Sequence, residues 1–364
     1  MKVAMTGAGG FLGWHTRVLL HSLGHPDVVA LPVGDRYDAT AAARDVSGAD
    51  RLVHVAGVNR GTDAEVAGGN VLFAEQVAAA VRVAEVAPRV IVFANSTQAE
   101  GNSVYGDAKR RAAEILAEAA GAVGADFVDL RLPNLFGEHG RPFYNAVTAT
   151  FCHLLSRGEH PSVDVDRELS LLHAQRAAEA LVGELTEDEM RGHIRTRTVT
   201  QLLDRLEHFA GTYATGELPA LEDDFDRDLF NTYRSYAFEV RPSFALAPRT
   251  DARGSFTEVV RAAGGGGQTS FSTTVPGVTR GQHYHRRKIE RFTVLAGSGT
   301  MTMRRLFHDD VVTVHASGDS PVSVDMPTMW AHAITNDGDA TLTTLFWSNE
   351  LFDPQATDTV PETV

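Results

Sequence analysis

The sequence predicts two folds in series: an α/β doubly wound parallel sheet over residues 1–242, then an all-β barrel over residues 243–364. Three observations carry this expectation. Strand-like apolar runs alternate with helical segments through the first two-thirds, the pattern of a parallel sheet. A glycine turn stands between the first strand and the first helix. From Asp251 to Phe346 short strands alternate with turn residues, as in an antiparallel barrel or jelly roll.

KVAMTGAGGFLGWHTRVLL is a strand, a glycine turn and a helix. Gly7 permits the tight turn, Gly10 lets a diphosphate approach the backbone, and Gly13 lets helix and strand pack closely. A dinucleotide's phosphates would sit on the helix N-terminus, with Phe11 and Leu12 completing the turn. Asp27 to Leu31 is the second strand, and Asp35 and Arg36 follow it. An arginine there favours the extra phosphate of NADP, an aspartate favours NAD. Arg51 to Ala56 is the third strand, Val71 to Val86 a helix, and Arg89 to Ala94 a strand. Lys109 to Ala120 is a helix and Asp126 to Leu132 a strand. Ligands of such sheets bind at the carboxyl ends of strands. That selects His54 to Arg60, with Ala56 against the cofactor, then Asn95 to Gln98 and Pro133 to Gly137.

Tyr105 and Lys109 stand four apart at a helix start and share one face. A tyrosine beside a lysine cation is easier to deprotonate, and it can exchange a proton with a ketone oxygen while hydride arrives from a nicotinamide. Ser96, at a strand end, can hydrogen-bond the same oxygen. Residues 177 to 240 read as helical and charged, and a proline-rich change of pattern after Glu239 sets the boundary near 242. Glycines 264 to 267 read as a hairpin turn, and the run after Leu351 as a solvated tail.

The sharpest stretch is GVTRGQHYHRRKIERFTVLAG, Gly277 to Gly297. Residues two apart on a strand point to one face, so His283 and His285 reach one point. Glu290 follows a short turn, and MPTMWAHAITN adds His332. Three imidazoles and a carboxylate suit zinc, and equally iron, manganese or nickel.

Composition bounds the partners. A net charge of -14 over 364 residues, without a basic cluster, argues against nucleic acid and anionic membrane. One cysteine, Cys152, excludes an internal disulfide framework. With no apolar run of membrane-spanning length, the expected location is cytoplasmic.

TGAGGFLG, HVAGVN, GGNVLFAEQV, the Ser96 strand end, YGDAK and RLPNLFG fall in the order of the extended short-chain dehydrogenase/reductases, which residues 1 to about 240 resemble. That resemblance implies a Rossmann-like fold, Ser96, Tyr105 and Lys109 as catalytic residues, and Asn134 in RLPNLFG as a substrate contact. The chain departs from it at Gln175 and Arg176, where acids are usual. Gly277, His283, His285, Glu290 and Gly297 have the spacing of the first cupin motif. Pro327, His332 and Asn336 match the second, with Met329 where a glycine is usual. DARGSFTE also resembles nucleotide-sugar 3,5-epimerases, which implies His283 as a proton-abstracting base and Arg253 as a substrate contact. His283 thus has two readings, ligand or base.

The whole chain resembles the bifunctional capsular-polysaccharide enzymes that make UDP-N-acetyl-L-fucosamine precursors, through segments such as GVNR, YNAVTATFC, HYHRRKIERF and WSNELFDP. The resemblance implies a zinc-binding cupin that epimerises a UDP-4-keto-6-deoxy-hexose beside the ketone. It implies a first domain that reduces the ketone with NADPH (NADH being the other possibility) to a UDP-2-acetamido-2,6-dideoxy-L-talose, in a homodimer. Two other readings stay open: a cupin dioxygenase holding iron, and a cupin that only dimerises or senses ligand beside an active reductase.

Overall fold

Five short strands rich in apolar residues, the first four each followed by a helix, assemble the first sheet; the computed structural model describes all residues 1–364. These elements are β1 (Val3–Thr6), α1 (Phe11–Ser22), β2 (Val28–Ala30), α2 (Ala39–Val46), β3 (Arg51–His54), α3 (Asp63–Val83), β4 (Val90–Ser96), α4 (Val104–Val123) and β5 (Asp126–Leu132). The strands are parallel in the order β2-β1-β3-β4-β5. The order reverses at β1, so the crevice outside the carboxyl ends of β1 and β3 is where such a sheet takes its ligand. Helices cover both faces. Val77, Val81, Ile91 and Leu116 fill one side, and Met5, Leu19, Val92 and Leu172 the other.

The chain continues through β6 (Asn134–Phe136), α5 (Val147–Ser156), β7 (Glu168–His173), α6 (Ala174–Val182), α7 (Glu187–Gly192), β8 (Arg195–Thr198), α8 (Val199–Ala214) and α9 (Asp224–Val240). Strands β6, β7 and β8 form a separate three-stranded sheet.

The last third is all β: β9 (Phe244–Ala245), β10 (Arg249–Asp251), β11 (Gly254–Phe256), β12 (Gln268–Thr274), β13 (Thr279–Tyr284), β14 (Glu290–Ala296), β15 (Ser298–Arg305), β16 (Val311–Ser317), β17 (Val322–Met326), β18 (Trp330–Thr335), β19 (Leu342–Ser348) and β20 (Val360–Pro361). Two five-stranded antiparallel sheets, β12-β19-β14-β17-β9 and β16-β15-β18-β13-β20, make the β domain that the sequence predicts. Alternation of side chains along each strand turns Val294, Met301, Met303, Val324, Met326 and Ile334 into a shared core.

Contacts divide the chain into Met1–Val147 with Val165–Val199, and Thr148–Asp164 with Thr200–Val364. The boundary near residue 242 falls inside the second of these units, because α8 and α9 fold with the strands. Phe238 joins the β core and stacks edge-on against Trp330, with ring centroids 5.1 Å apart. Arg234, fully buried, donates to the Met326 carbonyl at 2.7 Å.

Two expectations are corrected. The run after Leu351 is not a solvated tail: it returns as β20 and pairs with β13. Glycines 264 to 267 turn no hairpin, since β11 pairs with β10 and β12 with β19.

Candidate active sites

The first site is built where the glycine turn meets the carboxyl ends of β1, β3 and β4. Gly7 has a φ of 67°, and a Cβ there would lie 2.8 Å from the Ala56 nitrogen. At Gly13 a Cβ would stand 2.1 Å from the Gly7 carbonyl oxygen, so only glycine lets α1 begin against the turn. Phe11 opens α1, and Leu12 is buried behind it. Thr6, which the sequence reading passed over, ties the two strand ends together. Its hydroxyl oxygen accepts from the Val55 and Ala56 amides at 3.0 and 3.1 Å and lies 2.7 Å from His54 Nδ1. Arg36 is exposed on a short turn after β2.

Ser103 caps α4 by accepting from the Gly106 amide, which places Tyr105 and Lys109 on one face of its first turns. The Tyr105 hydroxyl hydrogen-bonds Ser96; burial pushes its pKa up and the Ser96 bond works against that. The expected lowering by Lys109 is therefore not what the geometry gives. The Lys109 ammonium donates to the Ala94 carbonyl at 2.7 Å and lies 4.0 Å from the centre of the Phe93 ring. Burial drives its pKa down to about 7, and Asp129 resists the fall. Asp129 in turn accepts from Asn95 at 2.6 Å, and Asn95 accepts from the Ser96 amide at 2.8 Å. This relay, also absent from the sequence reading, fixes the serine. Asn134 begins β6 beyond the end of β5, where it donates to the Ser170 carbonyl.

The second site joins the two sheets of the β domain. His283 on β13 and His332 on β18 are register partners, His285 lies just beyond β13, and Glu290 opens β14 in the other sheet. A bulge between Gly281 and His283, with Gln282 at a φ of 59°, turns the imidazoles together. One ligand atom from each of His283, His285, Glu290 and His332 lies within 4.8 Å of the others. Met329, at the position where a glycine is usual, holds a left-handed φ of 62° and donates to the His285 carbonyl at 2.6 Å.

The donors fit a divalent ion. His332 is buried, and its Nε2 has no hydrogen-bond partner although Glu290 Oε2 is 3.9 Å away. An orphaned buried polar atom is destabilising by about 1–3 kcal/mol, so its retention calls for an occupant. Burial first, then the neighbouring imidazoles, pull His332 down to about 3; the same causes lower His283. Both are thus neutral at pH 7, the form that ligates metal. Burial would raise the Glu290 carboxyl, but the bond from His285 at 2.9 Å and the Lys288 ammonium at 3.0 Å hold it well below the usual range. Arg253 is not among these groups in its own hydrogen bonding. It sits on the β10–β11 hairpin, 90% exposed, and pairs with Asp251 at 2.6 Å.

The chain matches the NAD dependent epimerase/dehydratase family over residues 3–193 and the polysaccharide biosynthesis C-terminal domain over residues 249–360. It belongs to that epimerase/dehydratase family of nicotinamide-dependent enzymes, among its nucleotide-sugar reductases and epimerases. Over 99% of its length it is 30% identical to 98% of a UDP-2-acetamido-2,6-beta-L-arabino-hexul-4-ose reductase of Pseudomonas aeruginosa. Among solved structures, the capsular polysaccharide assembling protein CapF of Staphylococcus aureus is similar over the whole of both chains, with 32% identity and a TM-score of 0.63. UDP-N-acetylglucosamine 4-epimerase of Bacillus cereus shares the fold alone, at 17% identity and a TM-score of 0.50 over 58% of this chain and 82% of that one. No helix of the chain is long and apolar enough to cross a membrane.

Proposed function

We propose that the chain is a bifunctional nucleotide-sugar enzyme. It epimerises a UDP-4-keto-6-deoxy-hexose beside the ketone in its cupin-like β domain and reduces that ketone in its first sheet domain, giving a UDP-2-acetamido-2,6-dideoxy-L-talose. The carrying observation is end-to-end likeness to a hexul-4-ose reductase together with a buried imidazole cluster that reduction does not need.

In the reduction, Tyr105 gives its proton to the ketone oxygen and Ser96 holds that oxygen. NADPH supplies the hydride when bound, with NADH the second choice. Arg36, exposed after β2, suits the extra phosphate. Lys109, held on the Ala94 carbonyl beneath the same helix start, completes the catalytic trio and serves the cofactor site. Gly7, Gly10, Phe11, Leu12, Gly13 and Ala56 receive the dinucleotide, and Asn134 the sugar.

In the epimerisation, His283 is the base. It is the one member of the cluster that is only partly buried, and burial keeps it neutral. His285, Glu290 and His332 would hold a divalent ion, zinc in this proposal, which supplies positive charge for the enolate oxygen. Arg253 would leave Asp251 to meet the substrate's anionic part. The exposed Phe256 and Phe271 favour a homodimer. Residues 1–242 carry the reductase machinery and 243–364 the epimerase machinery. Because α8 and α9 fold with the second unit, single substitutions separate the activities better than cleavage at 242.

The test uses the full chain and a UDP-4-keto-6-deoxy-hexose in deuterated water. Deuterium should enter beside the ketone without NADPH, and NADPH should be consumed when added. Tyr105→Phe should slow reduction by about 10²–10⁴-fold and leave exchange intact, while His283→Ala should do the reverse on the unepimerised sugar. Loss of both activities in each variant would sink the division of labour.

A further inference from the structure

The cluster of His283, His285, Glu290 and His332 lies against β20, and one residue just ahead of that strand touches both the second imidazole and the turn that leads to the carboxylate. The Asp358 carbonyl lies 2.5 Å from His285 Nδ1. The Asp358 side chain, 4% exposed, accepts from three consecutive amides: Arg286 at 3.1 Å, Arg287 at 2.9 Å and Lys288 at 2.8 Å. Those amides form the whole turn between His285 and the strand that starts at Glu290, apart from Ile289. Lys288, held there by its amide, places its ammonium 3.0 Å from Glu290 Oε1.

We propose that Asp358 is a positioning residue for the His/Glu cluster. Its carbonyl accepts from His285 Nδ1–H and so fixes the pitch of the ring, which aims Nε2 at Glu290 and the cluster. Its carboxylate fixes the length and pitch of the turn that brings Glu290 opposite. Ligating imidazoles are oriented in this way by an acceptor on their other nitrogen.

The strap is tied down on both sides of Asp358. Before it, the Ala356 carbonyl accepts from Arg287 at 3.1 Å. After it, Val360 pairs with Tyr284 and Pro361 with His283 itself. Glu362 then donates its amide to the Gln282 carbonyl and takes an ion pair from Arg304 at 2.6 Å. Asp358 has a φ of 45°, a left-handed conformation that aspartate adopts more readily than most residues other than glycine. That backbone turn, between two anchored stretches, directs the carbonyl at His285 Nδ1.

The inference rests on the reading of the cluster as a divalent-metal site, and its test separates the two. The full-length protein, Asp358→Ala, Asp358→Asn and a chain ending at Thr357 are stripped of metal and titrated with Co²⁺ against a chromophoric chelator. Nitrogen-15 spectra of the metal-free proteins report the His285 tautomer. The expected result is an affinity loss of about 10–100-fold for Asp358→Ala, an altered Co²⁺ absorption spectrum and a His285 ring no longer held with its proton on Nδ1. Asp358→Asn, which keeps an acceptor and tolerates the left-handed backbone, should fall between. It decides the matter if the alanine variant does not fold. Native Co²⁺ affinity and spectrum in Asp358→Ala or Asp358→Asn overturn the proposal. If the unaltered protein takes up no Co²⁺, the metal reading fails, and the tautomer alone then decides for or against Asp358.

Discussion

Asp325→Asn should unfold the β domain at a markedly lower temperature or denaturant concentration. Asp325 accepts from Arg291 Nε at 2.6 Å and Nη2 at 2.7 Å, and from the Tyr213 hydroxyl at 2.8 Å. The two charged side chains are 1% and 2% exposed. Burial alone would raise the Asp325 carboxyl, yet Arg291 overrides it and holds the pKa below the usual range. The asparagine keeps the shape but removes the charge, leaving the Arg291 guanidinium uncompensated. Breaking a buried pair in this way is destabilising by about 3–5 kcal/mol, a large part of the roughly 5–15 kcal/mol that holds a domain folded. Urea denaturation followed by tryptophan fluorescence reads it, since Trp330 and Trp347 lie in this domain. The exposed pair Arg253–Asp251 is the control: Asp251→Asn should leave the midpoint unchanged. A second check replaces the whole group with apolar residues, Arg291→Met, Asp325→Leu and Tyr213→Phe together, because a lone hydroxyl or charge left behind would itself be unsatisfied. That triple variant should recover part of the loss, less the bond Arg291 gives the Gly216 carbonyl at 2.6 Å and the attraction between Asp325 and the buried Arg234. An unchanged midpoint for Asp325→Asn would refute the reasoning.

Gly13→Ala should abolish nicotinamide binding by fluorescence titration, since its Cβ would meet the Gly7 carbonyl at 2.1 Å; native affinity would show that the turn is not the cofactor site. Lys109 has a pKa near 7 when folded against about 10.4 when unfolded. The unfolded chain therefore binds the extra proton between those values, and this destabilisation, complete below pH 7, fades as pH rises. Lys109→Met should remove a rise in stability approaching ~1.4 kcal/mol per pH unit in that window, read by urea titrations at pH 7 and 9; an unchanged slope would count against the burial argument. His332→Phe removes the orphaned Nε2. It should raise the thermal midpoint in the presence of a chelator while lowering Co²⁺ affinity at least tenfold. A lower midpoint with native affinity would mean that His332 is structural.

How far the sequence disclosed all this depends on how local each feature is. Gly7 to Gly13 and the pair Tyr105 and Lys109 each lie within one or two turns of chain, so spacing alone makes them readable; the glycine turn folds against the end of β3 and the pair against the end of β4. Apolar spacing predicts later starts for α3 and α4, at Val71 and Lys109; the Thr62–Glu65 capping box and the Ser103 cap set them at Asp63 and Val104. His283, His285, Glu290 and His332 were readable because a strand and a short turn bring them together in register. Asp358 carries no such signal: it is one aspartate among Thr and Val, and only the return of β20 to β13 brings it to His285. The place of α8 and α9 was hidden for the same reason, since charged helices that bury Arg234 and Tyr213 look solvent-facing in sequence.

The two proposed activities have a required order, and chemistry alone sets it. A proton beside a ketone is acidic because the enolate spreads its charge onto oxygen, and the cluster around His283 would act only on that acidity. In that scheme reduction at Tyr105 would convert the same ketone to an alcohol, after which the neighbouring carbon would hold its proton and its configuration. Epimerisation before reduction therefore yields an inverted, fixed centre, whereas reduction first yields a product that the β domain is unable to invert. The first sheet domain would then act as a lock on whichever configuration is present when hydride arrives. The fraction of product with the inverted centre should therefore fall as NADPH is raised toward saturation and rise when reduction is slowed, provided that exchange at the carbon is not much faster than hydride transfer. Where deuterium exchange is measured to be slower than hydride transfer, a product ratio independent of NADPH concentration would mean that only the inverted ketone is reduced, placing the selection in the reductase site and not in the timing.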